Sequence, residues 1–166
     1  MNCVIGIDPG SNITGYAVVE EVNNKYHVLT WGIVDCRKLN SISEKLTKIF
    51  KTLSSIIDEF SPRSLAIENI FVSKNVKSAL KLGHARGTAI VAAGNKGVAV
   101  YEYTPLEIKK SVAGYGQADK EQINFMVKKL CNIREEIKPV DASDAIAVAV
   151  CHLNSNSLQQ LIAAQK

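Results

Sequence analysis

The sequence predicts an α/β fold. Two short apolar runs each end on a carboxylate, two β-rich segments flank a polar turn, and helical periodicities follow in alternation with apolar runs. Val4-Ile5-Gly6-Ile7 is continuously apolar and gives way to Asp8-Pro9-Gly10, as expected of a central strand covered on both faces. Gly15 to Val22 and Tyr26 to Val34 flank Asn23-Asn24-Lys25, which reads as a hairpin turn. From Ser43 to Phe60 the residues Leu46, Ile49, Phe50, Leu53, Ile56, Ile57 and Phe60 recur at three and four, an amphipathic helix ended by Ser61-Pro62. Leu65-Ala66-Ile67 is a second doubly apolar strand, ending at Glu68. A helix is expected from about Val76 to Gly94, where Gly83 and Gly87, one turn apart, would permit close packing of a neighbouring element. Val98 to Tyr103 is a further strand. Thr104-Pro105-Leu106-Glu107 is a capping box with proline at the first helical position, and Gly114-Tyr115-Gly116 breaks the helix it starts. Ile123, Met126, Val127 and Leu130 mark another amphipathic helix, and an alanine-rich one follows from Asp141 to His152.

At 166 residues and 46% hydrophobic content, the chain has the size and apolar content of one domain, 1–166, with about 155–166 as a mobile C-terminal tail. No apolar run approaches the ~18 residues a membrane-spanning helix needs. The start of the chain lacks a basic signal-peptide pattern, so a cytoplasmic location and no membrane partner are expected. Cys3, Cys36, Cys131 and Cys151 are scattered without a Cys-x-x-Cys pair, against a zinc site or a disulfide framework.

The net charge of +4 is modest, but the 33 residues from Asn69 to Tyr101 contain no Asp or Glu. Lys74, Lys77, Lys81, Arg86 and Lys96 lie there. The first three are spaced for one helix face, a stripe suited to phosphates, although an ordinary solvated face has the same pattern.

Asp8 and Glu68 each terminate an apolar strand, and ligands of open α/β sheets bind beyond the carboxyl ends of the strands. On neighbouring strands the two would lie about 5 Å apart. Asp141 and Asp144, three apart in the first turn of the last helix, point the same way. Such a cluster is costly unless neutralised, and hard oxygen donors of this kind select Mg²⁺ or Mn²⁺. Taken singly, Asp8 as a turn former, Glu68 as a surface residue and the Asp141/Asp144 pair as a helix cap explain each position; four such placements together favour a metal site. The Gly6 to Gly10 loop with Gly15 also suits the phosphate loops of actin-like and sugar kinases, but the second phosphate loop and adenosine site of that class are missing from this shorter chain.

Gly6-Ile7-Asp8-Pro9-Gly10-Ser11 with Thr14-Gly15, then Ala66-Ile67-Glu68, Lys74-Asn75, Ser78-Ala79-Leu80-Lys81-Leu82-Gly83, Ala85-Arg86-Gly87 and Asp141-Ala142-Ser143-Asp144-Ala145 closely resemble the RuvC family of bacterial Holliday-junction resolvases. The resemblance covers essentially the whole chain, with the motifs in order. It implies a ribonuclease-H-like fold with a mixed five-stranded sheet flanked by helices, a homodimer, Mg²⁺ dependence, and paired nicks in four-way junction DNA alongside the RuvA and RuvB branch-migration proteins. By motif it assigns Asp8, Glu68, Asp141 and Asp144 the catalytic, metal-holding positions. Lys109 and Lys120 fall where the family has basic residues near the DNA, and Phe71 matches an aromatic that meets unstacked bases. His84 stands where the family suggests Gln, and Ser143 where Ala is usual; neither departure touches the carboxylates. The rivals are a non-catalytic junction- or duplex-binding module and a YqgF-type nuclease, which should lack the Ser78 to Gly87 pattern.

Overall fold

The computed structural model describes residues 2–69 and 76–164. Strands β1 (Asn2–Asp8), β2 (Ile13–Val22) and β3 (Lys25–Asp35) form an antiparallel meander. Asn23 and Asn24 carry its turn at φ of 52° and 58°, the left-handed geometry that two-residue hairpins require and asparagine tolerates. Lys25 is therefore the first residue of β3 rather than part of the turn.

Helix α1 (Ile42–Phe60) is capped by Ser41 and Glu44 and crosses to β4 (Ser64–Glu68), which runs parallel to β1. Helix α2 (Val76–Gly94) leads to β5 (Ala99–Tyr103), parallel to β4. Helices α3 (Pro105–Ala113) and α4 (Lys120–Leu130) follow, and α5 (Val140–Ala164) ends the described chain. The segment expected as a tail is thus helical as far as Ala164. The expected fold is present: one mixed sheet in the order β3-β2-β1-β4-β5, with helices on both faces.

Alternation along the strands divides the core. Val4, Ala17, Val19 and Ala66 join one cluster with α3, α4 and α5, while Ile5, Ile7, Val18, Leu65 and Ile67 join the other with α1 and α2. All four cysteines are free and buried. Among the described residues, no helix is long and apolar enough to cross a membrane.

Glycine determines how near α5 comes to the sheet. Val4, Gly6 and Asp8 share one face of β1, and Ala17 and Gly15 sit opposite Gly6 and Asp8 on β2. A methyl group built at Gly6 would be driven into the Ala145 carbonyl oxygen, and one at Gly15 into that of Asp141. The helix backbone thus rests on strand backbone, with its alanines, Ala142, Ala145 and Ala149, fully buried.

Candidate active site

Strand register builds the first half of the site. In the parallel pair β1–β4, Gly6 faces Ala66 and Ile7 faces Ile67, so the next residues, Asp8 and Glu68, are neighbours at about the 4.8 Å interstrand spacing. Both lie on the α5 face, in a row that reads Gly15, Asp8, Glu68, Tyr103 across four strands. Helix α5 supplies the second half. Its first turn covers Gly15, which sets Asp141 above the row, and Asp144 follows one turn on.

The electrostatics report this crowding. Burial pushes the Asp8 carboxyl up to about 8, with the negative charges of Asp144, Glu68 and Asp141 adding to the shift. Glu68 is also raised, chiefly by burial and then by Asp144. The nearest relief comes from α4, whose capping box (Asp119 with Gln122) brings Lys120 in as its first residue. Lys120 Nζ lies 3.1 Å from Asp144 Oδ2, and this ion pair raises the Lys120 ammonium above its ordinary value. Lys109 of α3 lies close enough to Glu68 to oppose its upward shift. Glu68, Lys109, Lys120 and Asp144 line a cleft of ≈ 170 Å³ with Ile108, Ile123 and Ala147 as its apolar walls.

The donor set fits a hard divalent cation: oxygen ligands, surplus negative charge and one ammonium partner. Among the described residues, however, no three acidic, histidine or cysteine side chains already form an ion-holding group. Asp8 lies within electrostatic reach of the other three carboxylates, and Glu68 of Asp144.

The other anticipated contacts divide. Lys77 and Lys81 are exposed on α2, four residues apart on one face. Arg86 is largely buried and its guanidinium lies 2.5 Å from Glu102 of β5, so that group is already engaged within the protein. Phe71 and Lys74 lie outside the described residues. Gly83 and Gly87 meet no described atom of this chain; they open into a groove with Leu46, Phe50 and Val91.

Two features near the site have no sequence signal. Arg37, after β3, is close enough to Asp141 to feel its charge, which follows only from the register of the meander. His152 of α5, fully buried, is hydrogen-bonded to the Ser64 hydroxyl at 2.8 Å and the Tyr103 hydroxyl at 2.7 Å. One imidazole therefore ties the helix of Asp141 and Asp144 to the start of the Glu68 strand and to Glu68's neighbour on β5. Burial holds His152 down at about 4, so it stays neutral.

A mixed five-stranded sheet with an acidic row at the carboxyl ends of its parallel strands is the scaffold of a ribonuclease-H-like protein. Residues 4–152 match the profile of the family described as crossover junction endodeoxyribonuclease RuvC, and the chain belongs to that family. It is 43% identical over 159 residues, 96% of each chain, to the crossover junction endodeoxyribonuclease RuvC of Ruminiclostridium cellulolyticum. Identity to the same enzyme of Geobacter metallireducens is 46% over 159 residues, again 96% of each chain. Among solved structures, T. thermophilus RuvC in complex with Holliday junction substrate matches with a TM-score of 0.90 at 31% identity, covering 96% of this chain and 97% of that one.

Proposed function

We infer that this protein is a crossover junction endodeoxyribonuclease that resolves Holliday junctions by hydrolysing phosphodiester bonds. Asp8, Glu68, Asp141 and Asp144 would hold the divalent ions, Mg²⁺ with Mn²⁺ able to substitute. The observation that carries this reading is the convergence of two strand-end carboxylates beneath two helix carboxylates, with Asp8 pushed up to about 8 by its surroundings.

Bound divalent ions supply Lewis acidity, which makes water a nucleophile at neutral pH and offsets charge on the phosphate. The protein's own part is positioning. The register row and the glycine contacts hold the carboxylates on rigid elements, and Ile108, Ile123 and Ala147 shield one side of the cleft from water. Lys120 and Lys109 face the same cleft and would balance negative charge developing on the phosphate.

Resolution needs two cuts of matched polarity on one junction, which a two-fold homodimer supplies without further parts. The open groove at Gly83 and Gly87, beside the exposed Leu80 and Val91, supports α2 as the face where two copies meet. RuvA and RuvB as partners, four-way junction DNA as substrate and the cytoplasm as location complete the proposal, on the strength of family membership.

The test separates cutting from binding. Asp8→Asn, Glu68→Gln, Asp141→Asn and Asp144→Asn should each lose cleavage of a labelled four-way junction by roughly hundredfold or more, since several kcal/mol of charge stabilisation goes with the ion. Junction binding should persist in all four. Undiminished cutting in any two of them overturns the metal-site assignment; a parent protein that binds junctions with Mg²⁺ present and never cuts them is a binding module instead.

A further inference from the structure

The cleft of Lys109 and Lys120 lies on the α3–α4 side of the carboxylate row. On the other side, the loop after β1 meets the start of α1 and the first half of α2 around an open cleft of ≈ 470 Å³. Ser11, Asn12, Asn40, Lys45, Ser78 and Lys81 line it with two aliphatic residues, and no carboxylate is among the described lining residues.

The cleft is organised. Lys45 is half-buried, and its Nζ donates to Asn12 Oδ1 at 2.7 Å, which holds the ammonium at the cleft wall. Asn12 is fixed in turn, because its carbonyl accepts from the Cys36 N–H at 2.7 Å. With Oδ1 taken by Lys45, the group Asn12 has left to offer is its Nδ2 donor. Lys81 stands exposed on the α2 wall. The neighbouring carboxylates are occupied: Glu44 is folded back onto the Ser41 hydroxyl at 2.8 Å, and Asp35 is held by Arg37 at 2.7 Å. Lys48 adds a further ammonium, donating to the Asp35 carbonyl at 2.7 Å.

Lysine ammoniums beside neutral donors, with no described carboxylate to compete for them, suit phosphate oxygens, which together with the sugars receive most protein–DNA hydrogen bonds. Asn12 is also only four residues beyond Asp8, so the cleft adjoins the site of cutting.

We propose that this cleft is a second phosphodiester subsite, holding the cut strand on the α1–α2 side of the scissile phosphate, with Lys45 and Lys81 as its cations and Asn12 and Asn40 as its neutral donors. The proposal rests on the DNA-cleavage reading above and adds a second grip to it: the strand is held at the loop after β1 as well as at the Lys109–Lys120 cleft, on the two sides of the carboxylates.

The test is junction binding by the full-length protein over a salt series, with Ca²⁺ in place of Mg²⁺. Lys45→Ala, Lys45→Arg, Lys81→Ala and Asn12→Ala are compared with the parent, and Lys25→Ala, at the opposite end of the sheet, is the control. Losing one phosphate contact lowers the slope of log K against log salt by about 0.9 and weakens binding roughly 5–10-fold at 0.1 M salt. That result is expected for Lys45→Ala and Lys81→Ala on junctions of any sequence, with a smaller loss for Asn12→Ala. Lys45→Arg should restore the slope and Lys25→Ala leave it unchanged. Lys81→Ala, on an exposed helix face, keeps the test decisive if Lys45→Ala folds poorly. Slopes equal to the parent's in both lysine variants overturn the subsite while junction cutting by the parent stands; a parent that neither binds nor cuts junctions removes the functional reading itself.

Discussion

Helices α5 and α2 are both rich in small residues, and they use them in opposite ways. Along α5 the alanines are fully buried against Gly6 and Gly15, where no added carbon fits, and the closeness so gained holds Asp141 and Asp144 over Asp8. Along α2, Ala85, Ala89, Ala92 and Ala93 are buried, but Gly83 and Gly87 on another face meet nothing, and Leu80 and Val91 beside them are 59% and 60% exposed. A small residue therefore marks close approach only where a second element arrives. On α5 the second element is the sheet of the same chain; on α2 no described residue of this chain fills that place.

The sharpest way to break this contrast is to fill the α5 contact. Gly15→Val inserts carbon where the Asp141 carbonyl oxygen sits, and overpacking of backbone against backbone should cost about 3 kcal/mol or more. At roughly 2–4 °C per kcal/mol for a chain of this size, thermal unfolding should show a midpoint lower by about 6–12 °C, with junction cutting lost as Asp141 is displaced. A variant with unchanged melting and activity would mean that the close approach does not matter.

A smaller effect follows from the charge cluster that this approach creates. Burial and the neighbouring carboxylates push Asp8 up to about 8 in the folded protein, against 3.8 for an ordinary aspartate. Between those values the unfolded chain has lost the proton and the folded chain retains it, so stability falls as pH rises from about 4 to about 8. Melting in chelator should show that decline, and Asp8→Asn should flatten it. A parent that gains stability over the same range contradicts the cluster.

The smallest effect belongs to α2. Gly83→Ala meets open space in a helix interior, so it should raise monomer stability by about 0.5–1 kcal/mol, seen as a higher denaturant midpoint at low protein concentration. Gly87→Leu should leave the monomer folded yet weaken self-association in sedimentation. Destabilised monomers in both variants would show that this face is packed within the chain after all.

Much of this was legible in the sequence because the relevant signals are local. Doubly apolar runs ending in Asp8 and Glu68, the Thr104–Glu107 capping box and the seven-residue apolar stripe of α1 each carry their own periodicity or cap, and the structure places them as read. What was not legible depends on partners distant in the chain. Arg86 reads as one more cation of a basic segment, and only the packing of α2 beside β5 brings Glu102 to it. His152 has no motif, since its hydrogen bonds reach Ser64 and Tyr103, 88 and 49 residues away. Likewise, the pairing of Asn12 with Lys45 joins a loop to a helix 33 residues on. The length of α5 escaped because its alanine-rich pattern fades after His152, while the backbone continues helical to Ala164.

The central claim, a metal-dependent nuclease selective for junctions, is tested most directly by one comparison. Purified protein with Mg²⁺ is given a labelled four-way junction and, separately, a linear duplex of matched sequence, and cleavage rates and cut positions are read on a denaturing gel. The account predicts paired, symmetry-related nicks in the junction, negligible cutting of the duplex, and no cutting of either in chelator. Similar rates on junction and duplex would contradict junction resolution and leave only a general nuclease; full activity in chelator would contradict the carboxylate site itself.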